Sequence, residues 1–123
     1  MNRTAIAKGG ILGGLAVLLG AFGAHSLRAH LSSDQLQIFH TGVEYQFYHS
    51  LGLIAIGILY QNFQNTWIRY SGYAFFIGII LFSGSLYLLT AFSSLSYFGI
   101  ITPIGGLCFI AGWIFLAIGV MKK

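Results

Sequence analysis

His25, Glu44 and His49 are titratable side chains set beside or inside long apolar runs, and Ser83, Ser85, Tyr87 and Thr102 bring hydroxyls into the same company. A carboxylate and an imidazole in such surroundings can hold a cation, relay a proton or anchor a polar ligand, because lipid leaves neither uncompensated without penalty. Spacing limits how they cooperate. Glu44 and His49 are five residues apart, which on a helix means about 7.5 Å of rise and a rotation of about 140°. They face different neighbours: His40, Glu44 and Tyr48 form one stripe, and Gly42, Tyr45 and His49 form another. Two polar stripes cannot both turn to lipid, so at least one is expected to point into the protein. Ser83, Tyr87 and Thr90 line a single face at i, i+4 and i+7.

Each residue also has a purely structural use. Glu44 could reach headgroups or pair with Arg28, and His49 could be a neutral imidazole bonded to Ser, Tyr or Glu. His25 could sit at the carboxyl end of its helix, where the dipole favours a cation. A metal held by His40, Glu44 and His25, or a haem between His25 and His49, are weaker alternatives. The chain has no H-E-x-x-H and no cysteine cluster, so no metal is assigned. With no nucleophile elbow, triad or phosphate-cradling loop, no catalytic residue is assigned either, and an enzyme is the lesser reading.

Composition identifies the solvent. Hydrophobic residues make up 57% of the 123 and charged residues 7%, against about 25% charged in ordinary soluble domains. A water-facing surface cannot be built from so few charges, so residues 1–123 are read as one integral membrane domain with the lipid bilayer as partner. The six Lys and Arg, against two acids, punctuate the ends of apolar segments. That pattern excludes a nucleic-acid footprint, which would gather them on one face. The lone Cys108 lies in an apolar stretch and is read as packing.

Four stretches reach the roughly 17–25 residues that a hydrocarbon core of about 30 Å requires: about 9–27, 42–60, 70–91 and 103–121. The opening GGILGGLAVLLGAFGA, after the basic Met1–Lys8, has the layout of a signal peptide with Ala21-Phe22-Gly23 as a small-x-small site; it is read instead as the first membrane helix. Glu44, Gln46 and His49 dilute the second span. Ser32 and Gln35 fit a capping box, so this helix is expected to begin before it enters lipid. Thr102 is placed as N-cap and Pro103 as first residue of the fourth helix. Arg3, Lys8, Arg69, Lys122 and Lys123 fall on one side and Arg28 on the other, which puts both termini in the cytoplasm. Trp67, Tyr70 and Tyr73, with Tyr97 opposite, fit interfacial anchoring. On this topology the titratable residues and hydroxyls share the outer half of the bilayer.

Small residues recur at packing intervals. Gly9 with Gly13 and Gly10 with Gly14 form overlapping G-x-x-x-G pairs, and Gly105, Gly112 and Gly119 repeat every seven residues. Lipid supplies no hydrophobic drive between helices, so close backbone approach must hold them together. The stripes are read as packing of a compact bundle, with homo-oligomerisation through one of them as the alternative.

Several strings taken together carry a likeness. G20-A21-F22-G23-A24-H25, T41 through H49, F82-S83-G84-S85-L86-Y87 and T102-P103-I104-G105-G106 resemble the family called domain of unknown function 423, whose animal relatives are termed transmembrane protein 256-like. The resemblance covers essentially the whole chain and implies a small membrane protein of about four spans without an established activity. Its pattern includes His25, an E-Y-Q-x-x-H matching Glu44, Tyr45, Gln46 and His49, the S-G-S-L-Y run and T-P-x-G-G. His40 lies outside it.

The expectation is an all-α integral membrane four-helix bundle in the plasma membrane, with its N- and C-termini on the cytoplasmic side. Its expected function is to bind or translocate a small molecule, ion or lipid headgroup through a polar pocket in the outer half of the bilayer. His25, Glu44, Gln46, His49, Ser83, Ser85, Tyr87 and Thr102 would line it, with Glu44 as the titratable or cation-pairing group and His49 as proton acceptor or hydrogen-bond donor. No cofactor is assigned. A structural or assembly subunit and a haem- or metal-binding redox protein are the other two classes.

Overall fold

The computed structural model describes residues 2–92 and 99–122, and the anchoring role expected of Tyr97 lies outside them. Among the described residues there are four helical rods and no strand. Helix α1 is Arg3–Leu27, α2 is Ser33–Leu59, α3 is Thr66–Ala91 and α4 is Ile101–Met121. Local chemistry sets the starts. The Asn2 side chain accepts from the Ala5 N–H at 3.2 Å, and Asn65 does the same for Ile68 at 3.2 Å. At α2, Ser32 Oγ takes the Gln35 N–H at 3.2 Å while Gln35 Oε1 takes the Ser32 N–H at 2.9 Å, the reciprocal box expected from the sequence.

One boundary differs from expectation. Helix α4 begins at Ile101 after Ile100, so Thr102 lies inside its first turn and caps nothing. Proline is tolerated there because first-turn N–H groups have no intrahelical acceptor to lose, and the Thr102 hydroxyl is free for another partner. Helix α2 runs for 27 residues, about 40 Å at 1.5 Å per residue, longer than a hydrocarbon core of about 30 Å. Three helices, α1, α3 and α4, are long and apolar enough to cross a membrane. Helix α2 falls short on composition, not length, through the polar residues in its first half.

Neighbouring helices pack antiparallel in chain order. Along α1 and α2, Gly9 meets Ser50 and Ile54, Gly20 meets Val43 and Gly23 meets Phe39. Between α3 and α4, Gly119 meets Ile68, Gly112 meets Phe75 and Gly105 meets Phe82. The seven-residue glycine stripe of α4 therefore faces α3. A Cβ on Gly105 would fall on the backbone of Phe82, and one on Gly9 would lie 2.7 Å from the Ser50 carbonyl oxygen. Only glycine permits those approaches. The second α1 stripe, Gly10 and Gly14, meets nothing.

Leu53, Ile56, Ile68, Phe75, Ile79 and Phe109 form the buried core across α2, α3 and α4. Outside it Ile11, Leu18, Leu107 and Ile110 are largely exposed, an apolar exterior that water would not tolerate and lipid would. The carboxyl end of α1 (Gly23–Leu27) and the middle of α3 (Ile79–Ser83) are π-helical. The wider turn in α3 inserts a residue into the register, just before the hydroxyl-bearing run Ser83–Tyr87.

Candidate functional site

The polar side chains tie helix to helix. Gln46, buried on α2, donates from Nε2 to the Leu12 carbonyl of α1 at 2.8 Å and accepts from the Tyr87 hydroxyl of α3 at 2.6 Å. A carbonyl can only accept, so the amide nitrogen must face Leu12, its oxygen must face Tyr87, and the tyrosine is the donor. One side chain joins three helices. Ser83 donates to the Gly42 carbonyl at 2.7 Å, linking α3 to α2. Ser85 sends its proton to the Phe82 carbonyl at 2.8 Å, so in its bond with Thr102 it is the acceptor, linking α3 to α4. Ser71 and Asn65 make two further ties, to the Gly112 and Gly119 carbonyls. Among the described residues every buried side-chain nitrogen and oxygen has a partner.

His49 sits where α2, α3 and α4 meet. The indole N–H of Trp113 donates to its Nε2 at 3.0 Å, and its Nδ1 lies 2.7 Å from the Tyr45 carbonyl. Indole is only a donor and a carbonyl only an acceptor, so these partners select the neutral ring with its proton on Nδ1. The ring stacks on Phe109 at 3.6 Å between centroids, 8° from parallel, with Phe75 edge-on at 5.3 Å. In this arrangement the Nε2 lone pair is taken up by the Trp113 N–H.

Above this ring lies a groove of about 800 Å³ between α2 and α4. Tyr45, Tyr48, Phe82, Phe109 and Trp113 wall it, and His49 lies at its base. Tyr45 stacks on Phe82 at 4.8 Å. The wall is largely aromatic. These aromatic residues were absent from the expected site, although Tyr45 with His49 and Phe109 with Trp113, each pair four apart on one helix face, were visible in the sequence.

The expected cluster is only partly assembled. Gln46, His49, Ser83 and Ser85 are buried, and Tyr87 and Thr102 are half-buried and bonded to them. Ser83 and Tyr87 face α2, where they bond Gly42 and Gln46, while the buried Thr90 hydroxyl donates to the Leu86 carbonyl of its own helix. Glu44 and His25 stand apart. Both are exposed, and Glu44 looks over a shallow groove floored by Ala16, Val17 and Gly20 of α1. Its carboxylate has no hydrogen bond or ion pair among the described residues, so the alternative pairing with Arg28 does not form. The cause is the rotation of about 140° between positions 44 and 49: with His49 turned toward α4, Glu44 must turn outward. His25, His40 and Glu44 are not brought together either, and among the described residues no three His, Cys, Asp or Glu side chains could share a metal ion.

An all-helical chain with three lipid-compatible rods, an apolar exterior and polar groups paired inward is a multi-pass membrane protein. The family described as "Protein of unknown function (DUF423)" matches residues 19–106, and the chain belongs to it. It is similar to the UPF0382 membrane protein YwdK of Bacillus subtilis, at 44% identity covering 88% of each chain. It also resembles the UPF0382 inner membrane protein YgdD of Escherichia coli, at 38% identity covering 91% of this chain and 85% of that one. The plasma membrane is accordingly its location. No solved structure matches it.

Proposed function

We propose that the protein crosses the membrane four times as a bundle with both termini in the cytoplasm, and that it takes a small amphiphile from the outer leaflet into the groove above His49. The observation that carries this reading is the groove itself, aromatic-walled and about 800 Å³ in volume between α2 and α4. An aromatic wall binds acyl chains and planar rings through contact area and offers π-faces to either. The excess of Lys and Arg at the end holding both termini supports the orientation. Helix α2 would span through company: its Gln46 and His49 are turned onto partners in α1, α3 and α4, which is how polar residues reside at membrane depth.

Photo-crosslinking tests the binding. Protein in bilayers containing a phospholipid with a diazirine on its acyl chain should be labelled at Tyr48, Leu107 and Ile110 in preference to Leu51 and Ile114, which are also exposed but outside the groove. Gly106→Phe should abolish the preference, because a side chain there enters the groove, its Cβ meeting nothing closer than Phe82 at 3.8 Å. Even labelling over all these positions would refute the groove as a site.

A second reading, a structural or assembly subunit, is favoured by the complete internal pairing of the buried polar atoms. It requires Gln46→Leu to impair the cell-level phenotype through lost protein while Gly106→Phe does not; the binding reading requires Gly106→Phe to impair it with protein level unchanged.

A further inference from the structure

At the other end of the molecule α1, α2 and α3 line a second, partly open cavity of about 280 Å³. Lys8 of α1 and Arg69 of α3 line it together with the hydroxyl-bearing Tyr60 and Tyr73, and Ile56 and Phe76 provide apolar floor. Arg69 donates from Nη2 to the Tyr60 hydroxyl oxygen at 2.9 Å. That bond leaves the guanidinium's other N–H groups, and the tyrosine's own proton, for a further acceptor. The Lys8 ammonium stands 4.4 Å from the centroid of the Phe76 ring. The ring face attracts the charge but accepts none of its N–H groups as a carboxylate would.

Among the described residues neither cation has a carboxylate partner. The chain's acidic side chains are Asp34 and Glu44, and Glu44 precedes Tyr60 by sixteen residues of helix and cap, about 24 Å at 1.5 Å per residue. Two cations and two phenols thus converge on one cavity to which no acidic side chain contributes. Donors arriving from three helices suit an anion with several oxygens arranged in three dimensions. The planar fork of arginine matches phosphate in particular, and basic cavities between membrane helices at a headgroup level are a recurrent form of phosphate site.

We propose that this cavity binds a phosphate group, from an anionic lipid headgroup or a soluble phosphate ester, with Lys8 and Arg69 as counter-charges and Tyr60 as both support for Arg69 and hydroxyl donor. The site shares no residue with the groove above His49 and stands whether or not that groove binds anything.

The test uses the full chain in neutral detergent, titrated separately with phosphatidylglycerol, with diacylglycerol of the same acyl chains and with inorganic phosphate. Native mass spectrometry and thermal shift read the binding. Lys8→Gln and Arg69→Gln should each weaken phosphatidylglycerol binding about fivefold, and together about thirtyfold. Lys122→Gln, which removes the same charge at the same end but outside the cavity, should leave it within about twofold. A lipid source gives this pattern with phosphatidylglycerol alone; a soluble source gives it with inorganic phosphate alone. Tyr60→Phe, which removes one hydroxyl, should weaken binding in the same direction and supplies a reading if a charge variant misfolds. Diacylglycerol binding as tightly as phosphatidylglycerol, Lys122→Gln weakening binding as much as the cavity variants, or no response to either phosphate ligand would overturn the proposal.

Discussion

Tyr87 and Gln46 lie on different helices, and the tyrosine hydroxyl reaches the amide oxygen at 2.6 Å while the amide nitrogen holds the Leu12 carbonyl of a third helix at 2.8 Å. Lipid gives helices no hydrophobic reason to associate, so interhelical hydrogen bonds and close glycine contacts share that task. In membrane proteins such bonds contribute on average about 0.6 kcal/mol each and at most about 1.7 kcal/mol. Gln46→Leu removes two of them and strands the Tyr87 hydroxyl. It should lower unfolding stability by about 1–3 kcal/mol, and Tyr87→Phe by about 0.6 kcal/mol. A double-mutant cycle in detergent should show coupling between the two positions; strict additivity would mean the bond does not form.

The glycines divide by what they face. Gly105→Ala places a Cβ on the Phe82 backbone, where nothing can rotate away, and should cost about 1–3 kcal/mol as α3 and α4 separate. Gly10→Ala meets nothing and should be neutral or stabilising by up to about 1 kcal/mol through helix propensity. Thermal unfolding of the two single variants decides. Equal effects would contradict the packing direction of both stripes.

His49 should be a neutral imidazole protonated on Nδ1, because the Trp113 indole can only donate to Nε2 and the Tyr45 carbonyl can only accept from Nδ1. Nitrogen-15 spectra of histidine-labelled protein at neutral pH should show one protonated and one bare ring nitrogen at this position, and Trp113→Phe should shift the bare one. Two protonated nitrogens would contradict the assignment.

Glu44→Gln should change stability by less than about 0.5 kcal/mol, the range of exposed substitutions, because the carboxylate is exposed and unpaired among the described residues. A loss of several kcal/mol, measured by the same unfolding assay, would place the side chain inside the protein after all.

Much of this fold could be read from the residues. The capping box at Ser32 and Gln35, the seven-residue glycine repeat on α4 and the common face of Ser83 and Tyr87 all follow from spacing alone. So did the divergence of Glu44 from His49, though which of the two stripes would turn inward did not. That choice depends on partners from other helices, namely Trp113 and Phe109 for His49 and none for Glu44. Thr102 misled because a threonine before proline reads as a cap, whereas here the hydroxyl is taken by Ser85 across the helix interface. The π-helical turn at Ile79–Ser83 has no local signal, since it reflects register between packed helices. The aromatic groove was legible only as two i, i+4 pairs whose meeting required the tertiary arrangement.

The most direct test of the groove reading is an experimental density map of the protein in lipid nanodiscs. Continuous density of an elongated amphiphile is expected between α2 and α4, in contact with Tyr45, Phe109 and Trp113, and lost in Gly106→Phe with the surrounding helices unmoved. A groove closed by α2 settling onto α4, or filled only by the same featureless lipid that coats every other face, would contradict it.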